Sequence, residues 1–228
     1  MSSRLIVALD TAAPARARAW AEAVAPWCGL LKLGLEFFLA NGPAGVREVG
    51  DRPVFLDLKL HDIPNTVAGA VEAVLPLGPR MLTVHAAGGP AMVTAARQAA
   101  ERAGPERPLL LGVTVLTSLD ATALAATGVA GGTVEQVLRL GRLAISAGAD
   151  GLVCSAHELA ALRAEFGAAV KLVVPGIRPT GSEPGDQART MTPEQAVAAG
   201  ADWIVIGRPI TGAADPAAAA AAISGALA

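Results

Sequence analysis

The stretch VFLDLKLHDIPNT, residues Val54–Thr66, carries charged side chains inside an apolar run. Side chains alternate between the two faces of a β-strand. A strand over Val54–Leu60 would therefore place Asp57 and Lys59 on one face and its leucines on the other, where helices would pack. Charged groups are rarely buried unless they are paired or functional. The stretch predicts a helix-covered strand that ends in a carboxylate and an ammonium, with Asp62 just beyond.

Short apolar runs of this kind alternate with helical patterns along the chain. The predicted strands are Leu5–Leu9, Leu30–Leu33, Val54–Leu60, Arg80–Val84, Leu109–Val115, Gly151–Cys154, Val170–Val174 and Trp203–Ile206. The predicted helical segments are Pro14–Ala25, Leu35–Val49, Pro64–Leu75, Pro90–Ala103, Ala121–Ala126, Thr133–Ala147, His157–Phe166, Pro193–Ala199 and the alanine-rich end Ala213–Ala228.

This alternation indicates an α/β protein with a parallel sheet. Eight β–α units in 228 residues favour a closed (β/α)8 TIM barrel. The alternative is an open doubly wound sheet, which would want a glycine-rich first crossover. The first crossover, from Asp10 to Pro14, has no GxGxxG pattern. We therefore expect one TIM barrel, a single domain over residues 1–228.

Composition narrows the class of protein. Hydrophobic residues make up 53% and charged residues 17% of the chain, which allows a large core. The net charge of −2, without a Lys/Arg cluster, predicts no nucleic-acid or membrane surface. Cys28 and Cys154 have no zinc spacing and are expected to be buried free thiols of a reducing compartment. The N-terminus passes directly into a strand-like run, so we expect a cytoplasmic protein.

The active site of a TIM barrel lies at the C-terminal ends of its strands. All eight predicted strands end in or carry a polar group or a glycine. These residues are Asp10, Lys32, Asp57, Lys59, His85, Thr117, Ser118, Cys154, Ser155, Arg178, Gly207 and Arg208. Because each strand is placed from its own hydrophobic pattern, their convergence predicts a site at this end of the barrel.

An anion site is predicted where the last strand runs into a helix. Gly207 permits close backbone approach, and Arg208 adds a planar fork of donors. Arg178 and Gln187 lie in the long preceding loop, Pro175–Thr192, and long loops in compact domains are often active-site lids. The alternative for Arg208 and Gln187 is a plain surface position.

The charged centre is the second part of the predicted site. Lys32, Asp57, Lys59 and Asp62 would alternate in sign, and such an array favours the charged form of each side chain. The structural alternative is an ion-pair network of the barrel core. Asp10 could accept hydrogen bonds from sugar hydroxyls or cap the helix near Pro14.

Neither metal nor covalent catalysis is indicated. A single histidine such as His85 is more often a structural hydrogen-bonding group, and His61 and His157 are less informative still. No His/Asp/Glu cluster has convincing metal spacing, and no Ser-His-Asp or Cys-His set stands in credible order. A reaction without metal or cofactor is the simplest interpretation.

Several motifs resemble the orotidine 5'-phosphate decarboxylase family, in its bacterial form. They are LIVALD (Leu5–Asp10), KLGLEFF (Lys32–Phe38), FLDLKLHDIPNT (Phe55–Thr66), VHAAGG (Val84–Gly89), LTS (Leu116–Ser118), PGIRP (Pro175–Pro179), GDQAR (Gly185–Arg189) and VIGRPIT (Val205–Thr211). They span nearly the whole chain in the expected order. The resemblance implies decarboxylation of orotidine 5'-monophosphate to uridine 5'-monophosphate in pyrimidine synthesis, by a homodimer that needs no metal or cofactor.

The resemblance also implies catalytic roles. Lys59 would deliver a proton to C6 of the pyrimidine, and Asp57 would lie beside the substrate carboxylate. Lys32 would support the charged array and the ribose, and Asp10 would hold ribose hydroxyls.

Further roles concern the partner subunit and the substrate. Asp62, Ile63 and Thr66 would reach into the partner subunit's site, and Ser118 with Thr117 would bind the pyrimidine edge. Four residues would grip the phosphate: Arg178, Gln187, Gly207 and Arg208.

Two alternatives belong to other classes. The sugar-phosphate branch of the same superfamily resembles this chain in Asp-x-Lys-x-x-Asp but uses Mg²⁺ on an enediolate; the stretch His61–Thr66 and the loop at Ser118 argue against it. A catalytically silent nucleotide-binding barrel would keep the Gly207-Arg208 pair but could lose Asp57 or Lys59, and this chain has both.

Overall fold

The computed structural model describes residues 3–179 and 191–227. Its strands are β1 (Leu5–Ala8), β2 (Leu30–Gly34), β3 (Val54–Leu60), β4 (Met81–His85), β5 (Leu109–Val113), β6 (Gly151–Val153), β7 (Lys171–Val174) and β8 (Trp203–Ile206). All pair in parallel in chain order, and β8 returns to β1 to close the barrel. The prediction of a (β/α)8 TIM barrel is confirmed.

Helices follow the strands as predicted. They are α1 (Pro14–Val24), α2 (Leu35–Glu48), α3 (Pro64–Val74), α4 (Pro90–Glu101), α5 (Ala121–Ala126), α6 (Thr133–Ser146), α7 (Leu159–Phe166), α8 (Pro193–Ala198), α9 (Arg208–Thr211) and α10 (Pro216–Gly225). Short 3₁₀ turns occupy Leu75–Leu77, Ala86–Gly88, Gly104–Glu106 and Ala156–Glu158. None of these described helices is long and apolar enough to cross a membrane.

Several predicted boundaries differ from the structure by one to three residues, and the fifth strand and the terminal helix are among them. The fifth strand ends at Val113 rather than Val115. Beyond it, Thr114 gives both its N–H and its hydroxyl to the Val153 carbonyl. The terminal helix starts at Pro216 rather than Ala213, because the Asp215 carboxylate caps it by accepting the Ala218 N–H at 3.0 Å.

Strand alternation divides the apolar residues into two layers. Phe55, Met81, Val153 and their neighbours fill the barrel interior. Leu56 and Leu58 belong to the larger layer between the strands and the helices. The two faces predicted for Val54–Leu60 are therefore confirmed, and the inner face carries Asp57 and Lys59 towards the strand ends.

Both cysteines are free thiols, as expected. The expected burial is found for Cys154, but it was wrong for Cys28, which is partly exposed. Burial raises the pKa of Cys28 to about 11, against the opposing effect of Arg52. Cys28 is therefore protonated and unreactive at neutral pH.

Carboxylates at the N-terminal ends of β6 and β8 tie the opposite end of the barrel together. Asp150 accepts hydrogen bonds from Arg107, Arg97 and the Leu110 N–H. Asp202 binds Arg163 and the Leu172 N–H in the same way. Each aspartate ends the sequence Ala-Gly-Ala-Asp, so one clamp occurs twice, two strands apart.

We predict that Asp150→Asn destabilises the fold by about 1–2 kcal/mol at pH 7, because charge-assisted hydrogen bonds are lost. Burial would raise the pKa of Asp150, but hydrogen bonds from Arg107 and Leu110 and the charges of Arg107 and Arg97 hold it below its ordinary 3.8. A depressed carboxylate pKa stabilises the fold above the unfolded-state value, and this contribution is lost as the pH falls through the folded-state value.

Urea unfolding of the two proteins between pH 7 and pH 3 measures this effect. The difference in free energy of unfolding should narrow as the pH falls below about 4. Glu106→Gln is the control, since its carboxylate pairs with Arg80 on the surface at 79% exposure. A constant difference across the pH range, or an equal effect in the control, would contradict the role of Asp150.

Candidate active site

The C-terminal ends of the strands enclose an open cavity of about 460 Å³. This volume suits a small organic ligand. Many of the predicted site residues line the cavity: Asp10, Lys32, Asp57, Lys59, Thr117, Arg178, Gly207 and Arg208. Residues from widely separated parts of the sequence therefore meet in one space.

Four charged side chains alternate in sign along one wall of the cavity. The Lys59 Nζ lies 2.7 Å from the Asp57 Oδ2, and the Lys32 Nζ lies 3.7 Å from the same oxygen. The Lys32 Nζ also donates to the Asp10 Oδ1 at 3.1 Å. The order along the wall is thus Asp10, Lys32, Asp57 and Lys59. In the described chain, the second anion of the array is Asp10 rather than Asp62.

The ammonium groups of this array account for most of the lysine content. The chain has three lysines, and two of them, Lys32 and Lys59, lie in the array. The third, Lys171, starts β7 near Asp202 at the other end of the barrel. The lysines are thus concentrated at the site, while arginine carries the remaining 15 of the 18 basic residues.

Asp57 is the centre of the array. Its side chain is only 12% exposed. Burial acts to raise its pKa, but the charges of Lys59 and Lys32, with hydrogen bonds from Lys59 and Thr83, outweigh burial and hold the pKa below its ordinary value. Asp57 is therefore a fixed negative charge at neutral pH, and it anchors both ammonium groups.

A bulge in β3 sets the direction of these side chains. Leu56 pairs with Leu82 and Leu60 with Val84, so three residues of β3 face a single residue of β4. Within the bulge Lys59 has φ = 48°, the one positive φ among the described non-glycine residues. Such backbone costs about 1–3 kcal/mol and tends to cluster at functional sites.

The residue opposite the bulge is Thr83, which sequence analysis did not single out. Its side chain is fully buried. Its hydroxyl donates to the Asp57 Oδ1 at 3.0 Å and accepts the Lys59 backbone N–H at 2.9 Å. Alternation could have found it, because Met81 and Thr83 share the face of β4 that points into the barrel.

The far side of the cavity is cationic. Arg178 follows β7 and Arg208 follows β8. Burial lowers the pKa of Arg178 and the nearby charge of Arg208 lowers it further, so two like charges converge there. Gly207 lines the same side without a side chain of its own, although a Cβ at this position would make only ordinary contacts, 3.4 Å from the Ala8 Cβ and 3.5 Å from the Asp10 Oδ2. An anion held between the arginines would relieve their repulsion.

An apolar floor lies between the charged wall and the arginines, and sequence analysis did not assign it. Phe55, Val113, Val153, Val173 and Val205 form this floor. Cys154 and Glu36 also line the cavity. Strand alternation marks Val113, Val153, Val173 and Val205 as the last interior residues of their strands. Phe55 precedes Asp57 on the inner face of β3, and only closure of the barrel brings the five side chains together. It offers a flat aromatic ring an apolar surface to pack against.

Several predicted residues do not line the cavity within the described chain. Asp62, Ile63, Thr66 and Ser118 are exposed. The Asp62 carboxylate accepts its neighbour's N–H at 2.6 Å, and the Ile63 side chain is 66% exposed. Gln187 falls outside the described residues. The roles expected for these five positions therefore stay predictions.

Two histidines stand beside the array. The rings of His61 and His85 lie 5.3 Å apart. Burial, followed by the charges of His61 and Lys59, lowers the pKa of His85 below its ordinary 6.5, against the effect of Asp57. His85 is therefore neutral at pH 7. Across residues 3–179 and 191–227, no three His, Cys, Asp or Glu side chains are grouped to hold a metal ion.

Known proteins with similar sequences and structures match this chain over nearly its whole length. Proteins named orotidine 5'-phosphate decarboxylase from Gluconobacter oxydans and an Anaeromyxobacter species are 57% and 58% identical. The first alignment covers 97% of this chain and 95% of the relative, and the second covers 99% of both. A crystal structure of orotidine 5'-phosphate decarboxylase from Lactobacillus acidophilus superposes with a TM-score of 0.87 at 36% identity, covering 99% of each chain.

The model of the family described as Orotidine 5'-phosphate decarboxylase / HUMPS family matches residues 3–223. The match includes every strand of the barrel and the whole charged array. The chain therefore belongs to this family, and it is an enzyme of the decarboxylase type named in its relatives.

Proposed function

We propose that the chain decarboxylates orotidine 5'-monophosphate to uridine 5'-monophosphate and CO₂, a step of pyrimidine biosynthesis, without metal or cofactor. One observation carries the proposal: an alternating array of two carboxylates and two ammonium groups shares a single cavity with two converging arginines. The names of the relatives support the same substrate.

The cavity matches a nucleoside monophosphate part by part. The phosphate suits Arg178, Arg208 and the Gly207 backbone, with Gln187 as a further predicted ligand. The pyrimidine suits the apolar floor, with Thr117 and Ser118 at its polar edge. Because β3 and β7 stand opposite each other in the barrel, a phosphate near Arg178 directs the base towards Lys59.

The bond changes follow from this orientation. The bond between C6 and the carboxylate breaks, CO₂ leaves, and the electron pair remains on C6. The Lys59 ammonium, fixed by its 2.7 Å ion pair with Asp57, stabilises this charge and then gives its proton to C6. A preorganised charge in a dry site needs little reorganisation during the reaction, which is the usual source of large electrostatic effects.

Asp57 and Lys32 complete the proposed mechanism. The substrate carboxylate would meet the fixed charge of Asp57, and loss of CO₂ removes that repulsion, so the interaction favours the transition state over the bound substrate. Lys32 balances Asp57 and Asp10. Asp10 would then present its carboxylate to the ribose hydroxyls.

We also propose a homodimer in the cytoplasm, in which Asp62, Ile63 and Thr66 complete the partner subunit's site. Their exposure supports this: Ile63 is a large apolar side chain at 66% exposure directly after the catalytic strand. Packing against a second chain would remove this apolar side chain from water. A second chain packed there would bring its own Asp62 to the array.

The first test is the loss of ultraviolet absorbance when orotidine 5'-monophosphate is mixed with the protein in EDTA. We expect complete conversion, because the proposed reaction needs no metal. Ribulose 5-phosphate with Mg²⁺ serves as the comparison substrate. Unchanged orotidine 5'-monophosphate would refute the proposed function, and chelator-sensitive turnover of the sugar phosphate would favour the sugar-phosphate branch.

Lys59→Ala should fold normally yet lose turnover by at least about 10³-fold, because the positive charge and the proton donor are both removed. The matched control is Lys171→Ala, the same change at the lysine remote from the cavity. Single-turnover absorbance assays and circular dichroism measure the two effects. Near-normal turnover of the Lys59→Ala variant would exclude Lys59 as the proton donor.

Mixing inactive Lys59→Ala with inactive Asp62→Ala tests the shared site. A mixed dimer would hold one intact site, built from the Lys59 of one chain and the Asp62 of the other. At equal amounts and random pairing, about one-quarter of wild-type activity should return. Native mass spectrometry verifies subunit exchange, and mixed dimers without recovered activity would place Asp62 in its own chain's site.

A further inference from the structure

The three-residue bulge of β3 is the most unusual backbone feature of the site, and Thr83 is the group that fills it. In a regular parallel pair of strands the backbone hydrogen bonds are evenly spaced. A bulge disrupts some of these bonds, so the backbone groups that it frees need other partners. Here the register is interrupted between Leu56 and Leu60. The Thr83 hydroxyl occupies this interruption, bonded to both Asp57 and the Lys59 backbone.

Each of these two bonds fixes one side of the central ion pair. The Asp57 Oδ1 accepts from Thr83, which leaves the Oδ2 directed at the Lys59 Nζ. The Lys59 N–H points into the barrel and finds its acceptor in Thr83. That bond holds the backbone at φ = 48°, a conformation that a lysine does not adopt without support from its surroundings.

Threonine is well suited to this position. It is β-branched, so its side chain has restricted χ1 freedom in a strand. Its hydroxyl can donate once and accept at the same time, and both capacities are used. Its other neighbour across the sheet is Leu111 of β5, an apolar residue that offers its side chain no competing hydrogen bond.

We infer that Thr83 is a positioning residue of the catalytic array: by bridging Asp57 and the Lys59 backbone it aims the Lys59 ammonium at the reacting carbon. The inference rests on the proposed decarboxylase function for its kinetic consequence. Thr83 does not line the cavity, so it acts through Asp57 and Lys59 and makes no contact with substrate.

The kinetic consequence is specific. Thr83→Val keeps the branched shape but leaves the Asp57 Oδ1 and the Lys59 N–H without their partner. Misplacing the ammonium by a fraction of an ångström should lower kcat by about 10- to 100-fold. KM should change by less than about 3-fold, because the arginines that hold the phosphate are untouched. Thr83→Ser keeps the hydroxyl and should recover kcat to within about 5-fold of wild type.

Thr114→Val is the matched control. Thr114 is 4% exposed at the end of the neighbouring strand, and its hydroxyl donates to the Val153 carbonyl at 2.8 Å. The Thr114→Val variant therefore loses one buried hydrogen bond and leaves the charged array unchanged. The midpoint temperature of thermal unfolding should therefore fall in both valine variants, while kcat should fall only in Thr83→Val. If Thr83→Val does not fold, Thr83→Ala removes the hydroxyl without added bulk.

A second readout does not depend on activity. The chain has three lysines, so a carbon–nitrogen correlated NMR spectrum of labelled lysine contains three side-chain signals, which Lys59→Ala and Lys171→Ala assign. In Thr83→Val the Lys59 signal should move and the Lys171 signal should stay. In Thr83→Ser both should keep their wild-type positions.

The outcomes separate the two proposals. If wild-type protein leaves orotidine 5'-monophosphate unchanged, the proposed function fails, and the lysine spectrum still decides whether Thr83 orients Lys59. If wild type is active but Thr83→Val has normal kcat, or Thr83→Ser is as slow as Thr83→Val, the positioning role is wrong. An unmoved Lys59 signal in Thr83→Val would overturn it as well.

Discussion

Burial of the Asp57 carboxylate between two ammonium groups is the interaction on which the site depends. A carboxylate inside a barrel costs free energy unless its partners are close and well oriented. Lys59 and Lys32 supply the charges, and Thr83 supplies the remaining hydrogen bond. Removing any one partner would leave the others desolvated and unbalanced, so the array is cooperative, and its geometry is inherited from the strands.

The barrel stabilises this array because the strands hold every charge in a fixed position. β1, β2 and β3 lie side by side, and each contributes one or two members of the array from its C-terminal end. The arginines come from the two strands that complete the circle. Opposite ends of a bound nucleotide can thus be held by parts of the chain far apart in sequence but fixed in distance by the sheet.

Much of this arrangement could be predicted from the sequence. The strand periodicity of Val54–Leu60 predicted both the helix-covered leucine face and the inward Asp57 and Lys59, because a side-chain period of two leaves little freedom. The barrel followed from repetition of the β–α pattern. Hydrophobic pattern also placed every strand end within two residues of its observed position.

Other features depend on relations between strands that no single stretch encodes. The bulge in β3 exists only relative to β4, so the role of Thr83 could not be predicted from either strand alone. The ion pair between Lys32 and Asp10 depends on the distance between side chains that belong to two different strands. The apolar floor needs five strands at once. Positions facing a neighbouring subunit, such as Asp62, involve a surface that one chain does not contain.

The two Ala-Gly-Ala-Asp clamps show that the two ends of the barrel have different roles. Asp150 and Asp202 bind backbone and arginines at the ends of the strands remote from the cavity, while the cavity end holds its charges in strained and desolvated positions. Evolution can therefore revise the two ends separately. Loops at one end can drift towards new ligands, while the other end continues to maintain the closed sheet.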